Sequence, residues 1–263
     1  MTFFFGYVGR IALNAFYASL LVCQLIVDTC NWLFIQPLLG KGLRWRNAVE
    51  QFVEFGARSM PIVGLISFLV GAIIALQSAY TLAQWGATRF IADLVGISGV
   101  RELAPLMAAI LVTGRNGSAI AAEIGTMKVS EEIDALEVMG LNPTKFLVVP
   151  KFLGMVLALP CVTILAMFIM IAGGYCVSVF VINVDSAIYI EQTMNALKSK
   201  DLLTGMVKSF FFALVICWVG IYRGFQVEGG AEGVGRQTTS SVVTSIFFII
   251  VVDLVWTVLF YFV

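Results

Sequence analysis

The chain has 263 residues, of which 60% are hydrophobic and 12% charged, with a formal net charge of zero. A soluble domain is about 45–50% apolar and about 25% charged, so this composition excludes a soluble globule and indicates an integral membrane protein. Zero net charge gives no basic surface for nucleic acid, and the lack of His removes the commonest metal ligand and general base.

Residues 3–39 are apolar but interrupted. Arg10, Asn14, Tyr17, Gln24, Asp28 and Asn31 recur at near-helical spacing and form one narrow polar stripe. That pattern predicts a helix lying in the membrane interface; the alternative is an ordinary spanning helix over 11–27. Pro37 and Gly40 end the segment, and Lys41, Arg44 and Arg46 follow as a basic cluster. The expected organisation is an interfacial amphipathic helix over 1–40 and a single transmembrane domain over 41–263. No basic leader or small-residue cleavage site is visible, so no cleaved signal peptide is expected.

Five spans are predicted, over about 61–82, 97–122, 146–182, 203–225 and 242–263. The first has Gly64 and Gly71 for close helix approach, and Gln77 and Tyr80 near its far end. A short loop at 84–88 leads into the second. The third is too long for one straight span and is expected to be tilted or kinked and to protrude. Residues 185–201 read as an extramembrane loop with a possible short helix. A glycine-rich turn, EGGAEGVGR at 228–236, precedes the last span. The chain ends within that apolar helix, so no appended cytosolic domain is expected. The fold class is thus all-α. The five cysteines (Cys23, Cys30, Cys161, Cys176, Cys217) sit in apolar runs without metal-ligand spacing and read as packing residues. No metal site is expected.

Between the second and third spans lies a short polar helix, 130–140. Ser130 is a candidate N-cap, and Glu131, Glu132 and Asp134 in the first turn oppose the positive end of the helix dipole. Gly140 and Pro143 close it. Ile133, Leu136 and Met139 give it one apolar edge for a partner. A spanning segment that runs straight into such a helix suits a transporter driven by a motor subunit. If the N-terminal region, this helix and the 223–236 loop share a side, that side carries eleven of the sixteen Lys and Arg. The positive-inside rule then makes the N-terminus cytoplasmic and the C-terminus external.

Arg101, Glu102, Lys208 and Asp253 fall where charge is expensive, about 2.5–3.5 kcal/mol each at a helix centre. A Lys208–Asp253 contact is feasible, with Arg101 and Glu102 above it. Such a group either fixes helix register statically or forms a polar gate above a lipid cavity. In GRNGSAIAAEIG, Gly114, Gly117, Ser118 and Gly125 belong to a four-residue repeat of small side chains. The repeat serves tight packing within one protomer or a homodimer seam. EGGAEGVGR is not a phosphate loop, and no G-x-x-x-x-G-K-[ST], G-x-S-x-G or H-E-x-x-H occurs. Any ATP hydrolysis must come from another polypeptide.

RELAPLMAAILVTGRNGSAIAAEIGTMKVSEEIDALEVMGLNP at 101–143, GAIIALQ at 71–77 and GVGRQTTSSVVTS at 233–245 together resemble the MlaE/YrbE family of ABC-transporter permeases. Lys208 and Asp253 also stand where that family carries intramembrane charges. The resemblance covers nearly the whole chain after residue 40. It implies a homodimeric permease in a bacterial inner membrane, with an interfacial helix and five spans per protomer. A cytoplasmic ABC ATPase dimer, which binds the ATP and Mg, would dock on a coupling helix that includes Glu131, Glu132, Asp134, Leu136 and Glu137. A periplasmic MCE-domain hexamer would sit on the other side. The cargo implied is lipid, phospholipid in particular, moved between the inner and outer membranes to maintain outer-membrane asymmetry. Ile74, Gln77, Tyr80 and Leu103 are the residues this resemblance assigns to the lipid cavity, with Arg101, Glu102, Lys208 and Asp253 shaping it or its switch. Two other readings stay open. One is an ion-coupled secondary transporter using the intramembrane charges; the other is a non-transporting membrane scaffold.

Overall fold

The computed structural model describes residues 20–35 and 45–262. Of the expected N-terminal polar stripe, Arg10, Asn14 and Tyr17 lie outside the described residues, as do Pro37, Gly40, Lys41 and Arg44. The described residues form helices and no strands, as the all-α expectation requires. A short apolar helix, α1 (Leu20–Leu33), precedes five long apolar ones: α2 (Trp45–Ala83), α3 (Thr88–Val129), α5 (Thr144–Phe180), α7 (Ser199–Phe225) and α8 (Gly230–Phe262). Between them stand the short helices α4 (Glu132–Val138) and α6 (Ser186–Ala196).

Sequential spans alternate in direction. The 84–87 turn and α6 therefore share one end of the bundle, where Gln192 donates to Asp93 across 3.0 Å. The other end holds α4, the 226–229 turn and the start of α2. At the α6 end, burial pushes the Tyr189 phenol up to about 12, so its ring packs as a neutral group, edge-on to Tyr175 at 5.6 Å between centroids.

Four of the five long helices outrun the predicted spans. α2, α3, α7 and α8 all start before their predicted first residues, whereas α5 falls within two residues of the expected 146–182 and, at about 1.5 Å per residue, reaches well past a hydrocarbon core of about 30 Å. Hydropathy fixes only the part in contact with lipid. The first half of α2 (Trp45–Ala57) is amphipathic instead: Ala48, Phe55 and Gly56 are buried, while Arg46–Glu50 (3.1 Å) and Arg58–Glu54 (2.6 Å) pair outside. The spacing of Ala48, Phe52 and Phe55 carried that signal.

The central post is α5, which packs on both halves of α2 and on α3 and α7. Two glycines set its crossing with α2. A Cβ on Gly71 would lie 1.9 Å from the Met170 carbonyl oxygen, and one on Gly173 would lie 2.1 Å from that of Phe68. Each helix presents its glycine to the other's backbone, the closest approach that a helix pair permits. By contrast α8 packs mainly on α7 and α3, leaving Val243, Phe247, Ile250, Leu254 and Val258 exposed along its outer flank.

Two local expectations need correction. Ser130 does not cap the short polar helix; its hydroxyl donates to Thr126 O (2.9 Å) and lies 3.1 Å from Glu132 Oε1. It finishes α3 because the chain turns one residue later, at Glu131, which adopts left-handed backbone with φ 58°. The helix is correspondingly shorter. Its far end does close on Gly140 (φ +73°), with Leu141 N–H bonded to Leu136 O and Gly140 N–H to Glu137 O, a Schellman stop. The glycine-rich turn is also smaller than 228–236. Gly229 and Gly230, at φ +82° and +74°, complete the reversal, and α8 already includes Gly233 and Arg236.

Candidate functional site

The intramembrane charges converge from three helices. Lys208 on α7 is fully buried, and its ammonium group donates to Glu102 Oε2 on α3, to Asp253 Oδ1 on α8 (2.9 Å) and to Thr257 Oγ1 on α8 (2.7 Å). An ammonium has three N–H donors, and all three are used. The Thr257 hydroxyl in turn donates to the Asp253 carbonyl (2.8 Å) and lies 3.3 Å from Glu102 Oε2. Glu102 and Asp253 are partly open, at 31% and 18% side-chain exposure. One buried cation thus holds two carboxylates that both face the rim.

The backbone of α3 explains how Glu102 gets there. Gly99–Leu103 is a π-helical turn, directly before Pro105. Proline lacks the N–H that would bond back to residue 101, and its ring crowds that carbonyl. A widened turn relieves both problems and redirects the residues it contains. Arg101, on the same turn, points elsewhere. Its Nε lies 3.8 Å from Asp201 Oδ1, so it forms a second pair beside the first rather than joining Lys208.

Sequence reading named Lys208, Asp253, Glu102 and Arg101 but missed Thr257 and Asp201. Thr257 stands four residues after Asp253, one turn on along the same face. Asp201 ends the stretch that reads as loop in the sequence; it accepts from Lys198 N–H at 2.9 Å and caps α7.

A second π-helical turn, Thr113–Gly117, lies past the middle of α3. There Asn116, nearly fully buried, donates to Phe55 O and Ser59 Oγ, each at 3.0 Å, and Arg115 reaches Ser59 Oγ at 3.3 Å. These bonds satisfy the break in α2 at residues 58–59. Asn116→Ala leaves the Phe55 carbonyl without its donor and is expected to destabilise the fold by about 1–3 kcal/mol; thermal unfolding in detergent, compared with wild type, checks it.

The other named residues occupy distinct surroundings. Ile74, Gln77 and Tyr80 follow one flank of α2 at three-residue steps; Ile74 packs on the core, while Gln77 is exposed and Tyr80 is 76% exposed. Leu103, half-buried, follows Glu102 directly. On α4, Ile133 is buried and Leu136 half-buried, whereas Glu131, Glu132, Asp134 and Glu137 are exposed. The small residues of α3 divide between two faces. Gly117 and Gly125 meet α7 and its following turn, where an added Cβ would lie 3.2 Å from Ile216 and 2.5 Å from Val227. Gly114 is exposed with open space where a Cβ would go, and Ser118 is half-buried.

Near the α6 end, α5 and α6 enclose an apolar groove of about 330 Å³ that includes Phe168, Tyr175 and Met194. A second cavity, of about 450 Å³, lies beside Arg101 and Asp201. No cluster of metal-ligating side chains occurs among the described residues.

Comparison with known proteins agrees over most of the chain. The family model described as Permease MlaE matches residues 48–259. A Rickettsia conorii protein named "Probable ABC transporter permease protein" is 38% identical over 81% of this chain and 82% of its own. A Synechocystis protein with the same description is 37% identical over 81% of each. An Arabidopsis thaliana protein, "Protein TRIGALACTOSYLDIACYLGLYCEROL 1, chloroplastic", is 35% identical over 86% of this chain and 65% of its own.

Proposed function

The chain belongs to the MlaE permease family, and from that premise we propose that it is the membrane subunit of an ATP-driven transporter of lipid, phospholipid in particular. ATP and Mg belong to a partner ABC ATPase dimer on the cytoplasmic side. A periplasmic MCE-domain hexamer exchanges lipid on the other, and outer-membrane asymmetry is the outcome served. The name of the Arabidopsis relative, which is that of a glycolipid, supports a lipid cargo.

The observation that carries this reading is α4. It is a seven-residue helix joined within a few residues to two spanning helices, α3 and α5. It buries Ile133 and leaves four carboxylates outside. A helix anchored by one apolar side chain, with an acidic outer face, is suited to pass displacement from a docked subunit into the spans. Sidedness follows from charge. Arg46, Arg58, Arg115, Lys128, Lys145, Lys151, Arg223 and Arg236 lie toward the α4 end, against Arg89, Arg101, Lys198, Lys200 and Lys208 toward the other, which supports a cytoplasmic α4. The protein then resides in a bacterial inner membrane with its C-terminus periplasmic. Ile74, Gln77, Tyr80 and Leu103 flank the lipid path, and the Lys208 cluster at its edge is the switch.

Affinity purification from the native membrane tests the docking. A co-purifying ABC ATPase is expected, and Glu131→Lys, Glu132→Lys and Asp134→Lys together should release it and lower ATP hydrolysis about tenfold or more. A chain that purifies alone even after crosslinking in the membrane overturns the proposal. The outward face at Gly114 and Ser118 is the homodimer seam. Gly114→Leu has room within the protomer, so it should preserve the melting temperature while shifting the dimer to monomer by light scattering.

A further inference from the structure

The cavity of about 450 Å³ beside the charge cluster is lined by Arg101, Lys198, Lys200 and Asp201 together with apolar residues, Leu203 and Phe260 among them. Its size falls in the range of small-ligand sites, about 300–1,000 Å³. Three cations face one carboxylate, and that carboxylate is already engaged. Asp201 caps α7 through Lys198 N–H at 2.9 Å, and it stands 3.8 Å from Arg101. At that distance the guanidinium is outside hydrogen-bond range and keeps donors for another acceptor. Lys198 and Lys200 are exposed, and neither side chain has an ion-pair partner among the described residues. A cleft with excess positive charge and a low-dielectric wall concentrates its field on an anion. The wall suits the apolar root of an amphiphile.

We propose that this cavity binds the phosphate of an anionic lipid headgroup, with Lys198 and Lys200 on the phosphate and Leu203 and Phe260 against the adjoining apolar part. The assignment rests on the lipid-permease reading and narrows it: lipids with net negative headgroups are preferred over zwitterionic ones. Arg101 gives the site a connection to the rest of the molecule. It shares the π-helical turn Gly99–Leu103 with Glu102, so an anion that draws Arg101 from Asp201 acts on the same turn that presents Glu102 to Lys208.

The test places the full chain in nanodiscs of equal parts phosphoglycerol and phosphocholine lipid. A photocrosslinking residue stands at position 260 in one sample and at position 80 in another, and mass spectrometry identifies the captured lipid. Position 260 should capture the phosphoglycerol lipid in about tenfold excess. Lys198→Gln with Lys200→Gln should reduce that excess to near parity, since both side chains are exposed and the Asp201 cap is left in place. An unchanged ratio in the double variant, with capture at position 80 intact, overturns the headgroup site and leaves the permease reading standing. No lipid at either position overturns the reading beneath it. Inorganic phosphate at millimolar concentration should not abolish capture at 260; if it does, the site takes a free anion and the lipid assignment fails.

Discussion

Lys208→Met is expected to be the most damaging single substitution in the charge cluster. It keeps most of the side-chain volume but strands Glu102 and Asp253, which now share one fully buried cation. Removing one partner of a buried ionic group costs about 3–5 kcal/mol, because the remaining charges lose their compensation in a low-dielectric setting. The partial exposure of both carboxylates puts the expected loss at the lower end. A drop in melting temperature and in folded yield from detergent should read it. Glu102→Gln and Asp253→Asn added to Lys208→Met should restore much of the stability, since an uncharged set needs no counter-ion. Lipid-dependent ATP hydrolysis separates a switch from a static register device. If the triple variant regains both stability and full turnover, the cluster is structural only; a stable but inactive triple variant assigns it to gating.

Gly71→Ala and Gly173→Ala are expected to have effects of similar size for an unrelated reason. Each added methyl lands about 2 Å from a backbone oxygen of the partner helix, 1.9 Å at Met170 and 2.1 Å at Phe68. No side-chain rotation can remove a clash with backbone, so α2 and α5 must separate along their crossing. Overpacking of this kind costs about 1–3 kcal/mol and occasionally more, and a separation spread over two long helices belongs at the upper limit. The double variant should fail to accumulate as folded protein. Gly114→Ala, which meets nothing within 4 Å, is the control and should leave the melting temperature unchanged within about 0.5 kcal/mol of stability.

These two sites differ in how far the sequence announced them. Lys208 and Asp253 stand out because a charge in an apolar run is rare and needs a partner. Their meeting could be anticipated from depth alone. Thr257 could not, since a threonine in a helix is commonplace and becomes notable only when it faces an ammonium group. The turn that delivers Glu102 was hidden as well, because a π-helical insertion has no residue code beyond the nearby Pro105. Gly71 reads as a packing residue within its own span, but its counterpart Gly173 stands beside Gly174 with nothing in the pair to name a partner. The pairing of the two depends on the register between α2 and α5, which neither segment encodes by itself. Helix ends were the least legible. Beyond the hydrocarbon core the apolar run stops while the hydrogen-bond ladder continues, so Trp45–Ala57 and the first turns of α8 escaped a hydropathy reading.

The course of α3, helical throughout although widened at its two π-helical turns, has a mechanical consequence. From Glu102 to Val129 the helix rises about 40 Å, and α4 begins three residues beyond it. A rod of that length converts rotation into travel: a tilt of about 3° at the α4 end moves the Glu102 end by about 2 Å. The contacts around Lys208 are only 2.7–2.9 Å long at Thr257 and Asp253, so a 2 Å excursion of their third partner is enough to part it from the ammonium group. If α4 is the docking helix proposed above, the permease would not need a large rearrangement to register events at its far face. On the gating reading proposed above, a lever with a brittle catch at its tip would suffice, and the ion pair would set the threshold at which the lever is felt.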